Sequence, residues 1–185
     1  NAYEAQIITN LTDTGVMTKC AAEEQEYAER ITDPDWTPEF LAAKAEVDFR
    51  GQMGNPVAVT TSGEERVTLE PFWAGGKWRM VDRVKWWENY TDETPVIFGH
   101  YWRRFGKAAD DLPGFGPDLF AGIDAHHWMG PCNNVYCIDF SAGARAVLRD
   151  KDGDLNAGRL SALRVPEYEV MHDDGERIKL LSPGD

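Results

Sequence analysis

The chain has 185 residues, 42% of them hydrophobic and 28% charged, the balance of a globular protein with a sizeable core. Its net charge of −13 repels phosphate backbones, and the small basic cluster Arg103, Arg104 and Lys107 is too slight to offset it, so nucleic acid is not expected as a partner. No apolar run approaches the roughly 18 residues that span a bilayer, so no membrane partner is expected either.

Tyr3 to Leu11 reads as a short helix, with Ala5, Ile8 and Leu11 at helical spacing, broken by Thr12-Asp13-Thr14-Gly15. Ala21 to Arg30, rich in Ala and Glu, reads as a second. After the turn Thr32–Asp35, Thr37 has the chemistry of an N-cap, with Pro38 at the first helical position and Glu39 in the first turn. A third helix is expected from there through Phe40, Leu41 and Ala45 to about Phe49, stopped by Gly51 and Gly54-Asn55-Pro56. The composition then turns to β. Val57–Thr61 and Val67–Leu69 predict strands joined by Ser62-Gly63, Gly75-Gly76 predicts another tight turn, and Trp78–Trp87 a further strand.

Val96-Ile97-Phe98 predicts a buried strand that ends at Gly99-His100. The glycine permits a sharp turn or a close approach to the backbone. The histidine falls at the strand's carboxyl end, where open α/β sheets place their ligand sites. Phe105–Pro131 reads as a long loop, of the length that is usually functional. Val135–Phe140 predicts a strand, Ala144–Leu148 its continuation or partner, Asp150–Gly158 a polar turn, and Leu160–Val165 a strand whose pairing Glu169–Met171 extends. The tail from His172 reads as polar and frayed. The expected class is α/β (α+β), with 1–185 as a single domain, 1–56 mainly helical and 57–185 β-rich and carrying the Gly-His strand.

Several patterns point away from chemistry. Cys20, Cys132 and Cys137 are odd in number and lack small-domain spacing, which argues against a disulfide framework and for a reducing, cytoplasmic compartment. The opening stretch is polar, unlike a secretory leader. Asp150-Lys151-Asp152-Gly153-Asp154 suggests calcium, but the EF-hand's glycine and glutamate positions hold Leu155 and Ser161. His126-His127 would face opposite sides of a strand. No Ser-centred elbow, phosphate-cradling loop or helical His-Glu-x-x-His occurs.

Three stretches taken in order carry a resemblance: Gly99-His100-Tyr101-Trp102, then Cys137-Ile138-Asp139, then Gly158-Arg159-Leu160-Ser161-Ala162-Leu163-Arg164. With the Arg83–Trp87 run before them, they resemble the C-terminal half of calcineurin-like metallophosphoesterases, in the branch of phosphoprotein phosphatases and bacterial diadenosine tetraphosphatases. The resemblance covers about residues 80–171. It implies a partial metallophosphoesterase β-sandwich with flanking helices, and a parent enzyme that uses divalent metal ions (Mn, Fe or Zn) on a phosphorylated small molecule or phosphoprotein. His100 would ligate one metal through an imidazole nitrogen. Asp139 would act behind it or structurally. Trp102 stands where other family members place a second histidine, which fits this branch. On chemistry alone, Arg103 and Arg104 are candidates to hold a substrate phosphate.

The family's front-half motifs, Gly-Asp-x-His-Gly among them, are absent, and no histidine precedes His100. One imidazole cannot hold a pair of ions. The expectation is therefore a C-terminal portion of such an enzyme, cut from something longer as its Asn1-Ala2 start suggests, inactive by itself, and prone to dimerise through uncovered sheet. Two alternatives stand beside it. One is a non-catalytic binding module that uses the Phe105–Pro131 loop. The other is a self-contained metalloenzyme built on His100, His126 and His127 with Asp124 as bridging carboxylate.

Overall fold

The computed structural model describes residues 2–105, 118–150 and 155–182. Much of the long loop and the heart of the Asp150–Asp154 motif therefore lie outside the described residues. The class is mixed α/β, with a helical N-terminal part and small sheets that continue into the C-terminal part. Two compact units divide between Val84 and Lys85.

The first unit opens with α1 (Ala2–Asp13) and α2 (Val16–Glu26), turned against each other at Gly15, whose φ of 74° is left-handed. Leu11, Val16 and Cys20 from these helices pack on Ala43 of α3 (Ala42–Met53). α3 begins four residues after the Thr37-Pro38 signal. Its cap comes from far away in sequence: the Glu23 carboxylate on α2 accepts the backbone N–H groups of Ala43 (3.1 Å) and Lys44 (2.9 Å). A carboxylate at a helix N-terminus satisfies two orphan donors and complements the macrodipole. No local pattern could show it.

The expected strand Val57–Thr61 is instead helix α4 (Pro56–Ser62). Asn55 is its N-cap, its side chain accepting from Val57 N at 3.1 Å, and Pro56 sits at the first position. The tripeptide read as a stop is also a start. β1 (Glu65–Ala74) and β2 (Lys77–Arg83) then form an antiparallel hairpin across Gly75-Gly76, both at positive φ (62° and 76°) as a two-residue hairpin turn requires. The register shifts between Val67 and Phe72. Trp78 and Met80 of β2 bury against Leu41 and Ala45, and the Trp78 indole N–H donates to Asp33 O at 2.9 Å.

The second unit starts with a 3₁₀ turn at Trp86–Asn89, where the sequence suggested continued strand. β3 (Val96–Phe98) and β4 (Val135–Cys137) run parallel, Phe98 level with Cys137. β4 is buried on both faces. Val135 and Cys137 enter a core with Trp87, Tyr101, Phe120 and Met129, while Tyr136 enters a second with Phe140, Val170 and Leu180. The expected strand at Ala144–Leu148 is helix α5 (Ala144–Asp150). β5 (Ser161–Arg164), β6 (Glu169–His172) and β7 (Arg177–Lys179) complete an antiparallel sheet in chain order. The described part of the tail, to residue 182, is thus tied down rather than frayed: Leu180 is 6% exposed.

Glu23→Ala is expected to lower the stability of the first unit by about 1–2 kcal/mol, and Glu23→Gln by less, in urea unfolding followed by tryptophan fluorescence. An unchanged midpoint for Glu23→Ala would remove the long-range cap from the account of α3.

Candidate functional site

The carboxyl ends of β3 and β4 lie side by side, and the chain leaves both in unusual backbone conformations. His100 (φ 67°), Trp102 (φ 50°) and Ser141 (φ 54°) are all left-handed without being glycine. Each such residue costs on the order of 1–3 kcal/mol, and strain of this kind clusters at functional sites. Gly99 does not take the turn. A Cβ there would meet Asp139 Cβ at an ordinary 3.6 Å.

Asp139 holds this turn. Its carboxylate accepts the backbone N–H of Trp102 at 3.3 Å and of Ser141 at 3.0 Å. Its backbone carbonyl accepts Arg103 N at 2.9 Å. The Ser141 hydroxyl donates to Arg103 O at 3.1 Å. Gly158 closes the far side, where a Cβ would fall 2.6 Å from Ser141 O, so glycine is needed for close approach. The result presents the exposed His100 ring beside Trp102, ring centroids 6.1 Å apart, on a backbone fixed by Asp139.

Arg103 and Arg104 part company. Arg103 is 1% exposed. Its guanidinium donates to the carbonyls of Cys137 (3.3 Å), Ile123 (3.5 Å) and Asp124 (2.5 Å), and lies over the rings of Phe120, Tyr136 and Phe140. It is a structural cation, with no surface to offer a phosphate. Arg104 is half-buried. Burial pushes the Cys137 thiol up to about 12, which removes it as a thiolate ligand or nucleophile at neutral pH.

The histidines sort differently from their order in sequence. His126 Nε2 meets His172 Nε2 at 2.8 Å, and His172 Nδ1 meets Ser161 Oγ at 2.7 Å. His127 instead lines a cleft of about 400 Å³ with Glu88, Ile123, Asp124, Trp128 and Met129. His172 falls in the stretch expected to be a frayed tail, yet the sequence carries a signal for it. Ser161 and His172 occupy the inward-facing positions of β5 and β6, directly opposite each other, where apolar residues are expected.

Metal binding can be tested against this geometry. Among the described residues no three His, Cys, Asp or Glu side chains gather as a metal would require. His100 offers one imidazole, and both carboxylate oxygens of Asp139 already accept backbone N–H groups. These residues alone do not fit a metal pair, nor do His100, His126, His127 and Asp124 assemble into one site. No family model, curated protein or solved structure matches the chain.

Removing the carboxylate in Asp139→Ala leaves two turn amides without their acceptor. The expected loss is about 2–3 kcal/mol in chemical unfolding of the second unit, with Asp139→Asn intermediate. A midpoint shift within error of zero would mean that the left-handed turn is held by other contacts.

Proposed function

We propose that this chain is the C-terminal portion of a metal-dependent phosphoesterase that hydrolyses phosphate esters or dinucleoside polyphosphates, with His100 as one metal ligand. The observation that carries the reading is the exposed His100 in a strained, Asp139-braced turn at the carboxyl end of a parallel strand pair. The brace fixes the His100 backbone, so little conformational freedom is lost on binding. Asp139 supports the turn rather than the ion. The remaining ligands come from outside the described residues, and the described part has no hydrolase activity of its own.

The assay is hydrolysis of p-nitrophenyl phosphate and of diadenosine tetraphosphate with Mn²⁺. These 185 residues should show no turnover. The longer product of their gene should show turnover that falls at least about 100-fold in His100→Ala. Turnover by the 185 residues, lost in His100→Ala, would overturn the claim of an inactive portion. A gene product that is inert, or that contains nothing further, would overturn the phosphoesterase reading. A second reading, a non-catalytic ligand-binding module, draws on the open cleft beside His127, where Trp87, Ile123, Trp128 and Met129 stand with the polar Glu88, Asp124 and Asn133. Thermal stabilisation by a ligand without turnover, abolished by Trp128→Ala, would support it.

The proposal includes self-association as a homodimer through uncovered sheet. The outward face of β5 and β6 exposes Met171, with Leu160 and Val165 exposed at the ends of β5. Sedimentation equilibrium is expected to give a dimer mass that reverts to monomer in Met171→Lys. A monomer in the wild type overturns this part.

A further inference from the structure

The two buried-side imidazoles have no role in the reading above. We propose that the His126–His172 contact is an acid-released latch that fastens the sheet β5–β6–β7 to the segment 123–129. His172 is 2% exposed and the His126 side chain 13%. A nitrogen–nitrogen contact of 2.8 Å needs one N–H and one lone pair. A self-consistent arrangement runs through four residues. The Ser161 hydroxyl donates to His172 Nδ1, His172 Nε2–H donates to His126 Nε2, and His126 Nδ1–H faces the Asp124 carboxylate at 4.0 Å.

One added proton leaves this contact intact, as an imidazolium donating to an imidazole. A second turns both Nε2 atoms into donors, and two like charges then face each other. Among the described residues nothing nearby offsets them fully. Asp124 attracts from the segment, and Glu176 and Asp174 from the β6–β7 turn. Both of these last carboxylates are already paired with Arg159. Arg159 and Arg103 repel. The walls are the rings of Phe105 and Phe140, which offer no counter-charge. What the latch protects is a short ladder: Trp128 N–H donates to Leu181 O and Leu181 N–H to His126 O, each at 3.0 Å.

Burial holds both imidazoles below their ordinary value of 6.5, and for His172 the neighbouring His126 lowers it further. The unfolded or opened chain therefore binds more protons as pH falls. Stability from the contact is complete above about pH 6.5 and is lost as acid takes the pair below it.

The test is amide hydrogen exchange on the whole chain at about pH 7 and about pH 5, expressed as protection factors. Protection of the Trp128 and Leu181 amides is expected to fall at least about 10-fold at the lower pH, while that of Ile138, which donates to Phe98 O between β3 and β4, holds. His126→Gln keeps a donor and an acceptor without a titrating proton, and should flatten the response. Equal wild-type protection at both pH values, or an unchanged fall in His126→Gln, overturns the latch. Should that variant not fold, the imidazole proton resonances of the wild type decide. Two rings that titrate at ordinary values in the folded protein also overturn it.

Discussion

The second unit depends on a buried positive charge. A guanidinium taken from water without compensation costs several kcal/mol. Arg103 is 1% exposed, yet it is compensated by carbonyl dipoles and ring faces rather than by a carboxylate. Burial draws its pKa down from the ordinary arginine value, but that value is so high that the charge persists at any working pH. The planar fork matters. It reaches the carbonyls of residues 123, 124 and 137 while its flat faces lie against three aromatic rings. A lysine could not make that set of contacts. β4, the segment after β3 and the segment at 123–124 are thereby bound to one group.

The buried Arg103 follows the turn after β3 directly. His100 and Trp102, three residues and one residue before it, are both left-handed. Asp139 braces the two strand ends together, its carboxylate accepting the amide groups of Trp102 after β3 and of Ser141 after β4. The exposed His100 thus stands in the same braced stretch of chain as the buried Arg103.

How far the sequence discloses this depends on the range of each interaction. Helix α1, the Gly75-Gly76 turn and the strands around Val135, Ser161 and Glu169 rest on periodicity and turn chemistry within a few residues, and these are legible. α2 starts at Val16 and ends at Glu26, shifted toward the N-terminus from the expected Ala21–Arg30, and β3 is the expected strand but half-buried, with Ile97 exposed. The start of α3 was not legible, because Glu23 caps it from twenty residues away. α4 was legible but misread: β-branched Val57, Val59, Thr60 and Thr61 suggested a strand, and the Asn55-Pro56 start signal outweighs that propensity. At the candidate site, the exposed histidine at a strand end could be read from the pattern Val96 to His100. The buried state of Arg103 could not, since an arginine beside a glycine-histidine turn looks like a surface cation until the rings of Phe120, Tyr136 and Phe140 are brought around it. His172 was hidden for a related reason. Its partner Ser161 sits on the neighbouring strand, and His126 lies 46 residues away.

Arg103 also makes the braced turn and the imidazole pair contiguous. Its backbone bonds to Asp139 and Ser141 on one side, and its guanidinium holds the carbonyl of Asp124, two residues before His126, on the other. Contiguity alone is not coupling, which requires an element with two arrangements that both sites bias. The segment 123–129 meets the first half of that requirement if protonation of the imidazole pair frees it, because the Asp124 carbonyl would move with it and Arg103 would lose its shortest hydrogen bond. The guanidinium would then keep the Cys137 carbonyl and its three ring faces, in a chain segment that lies three residues from His100. Linkage makes any such coupling reciprocal: if acid that opens the pair weakens a ligand at His100, that ligand favours the closed, unprotonated pair by the same factor.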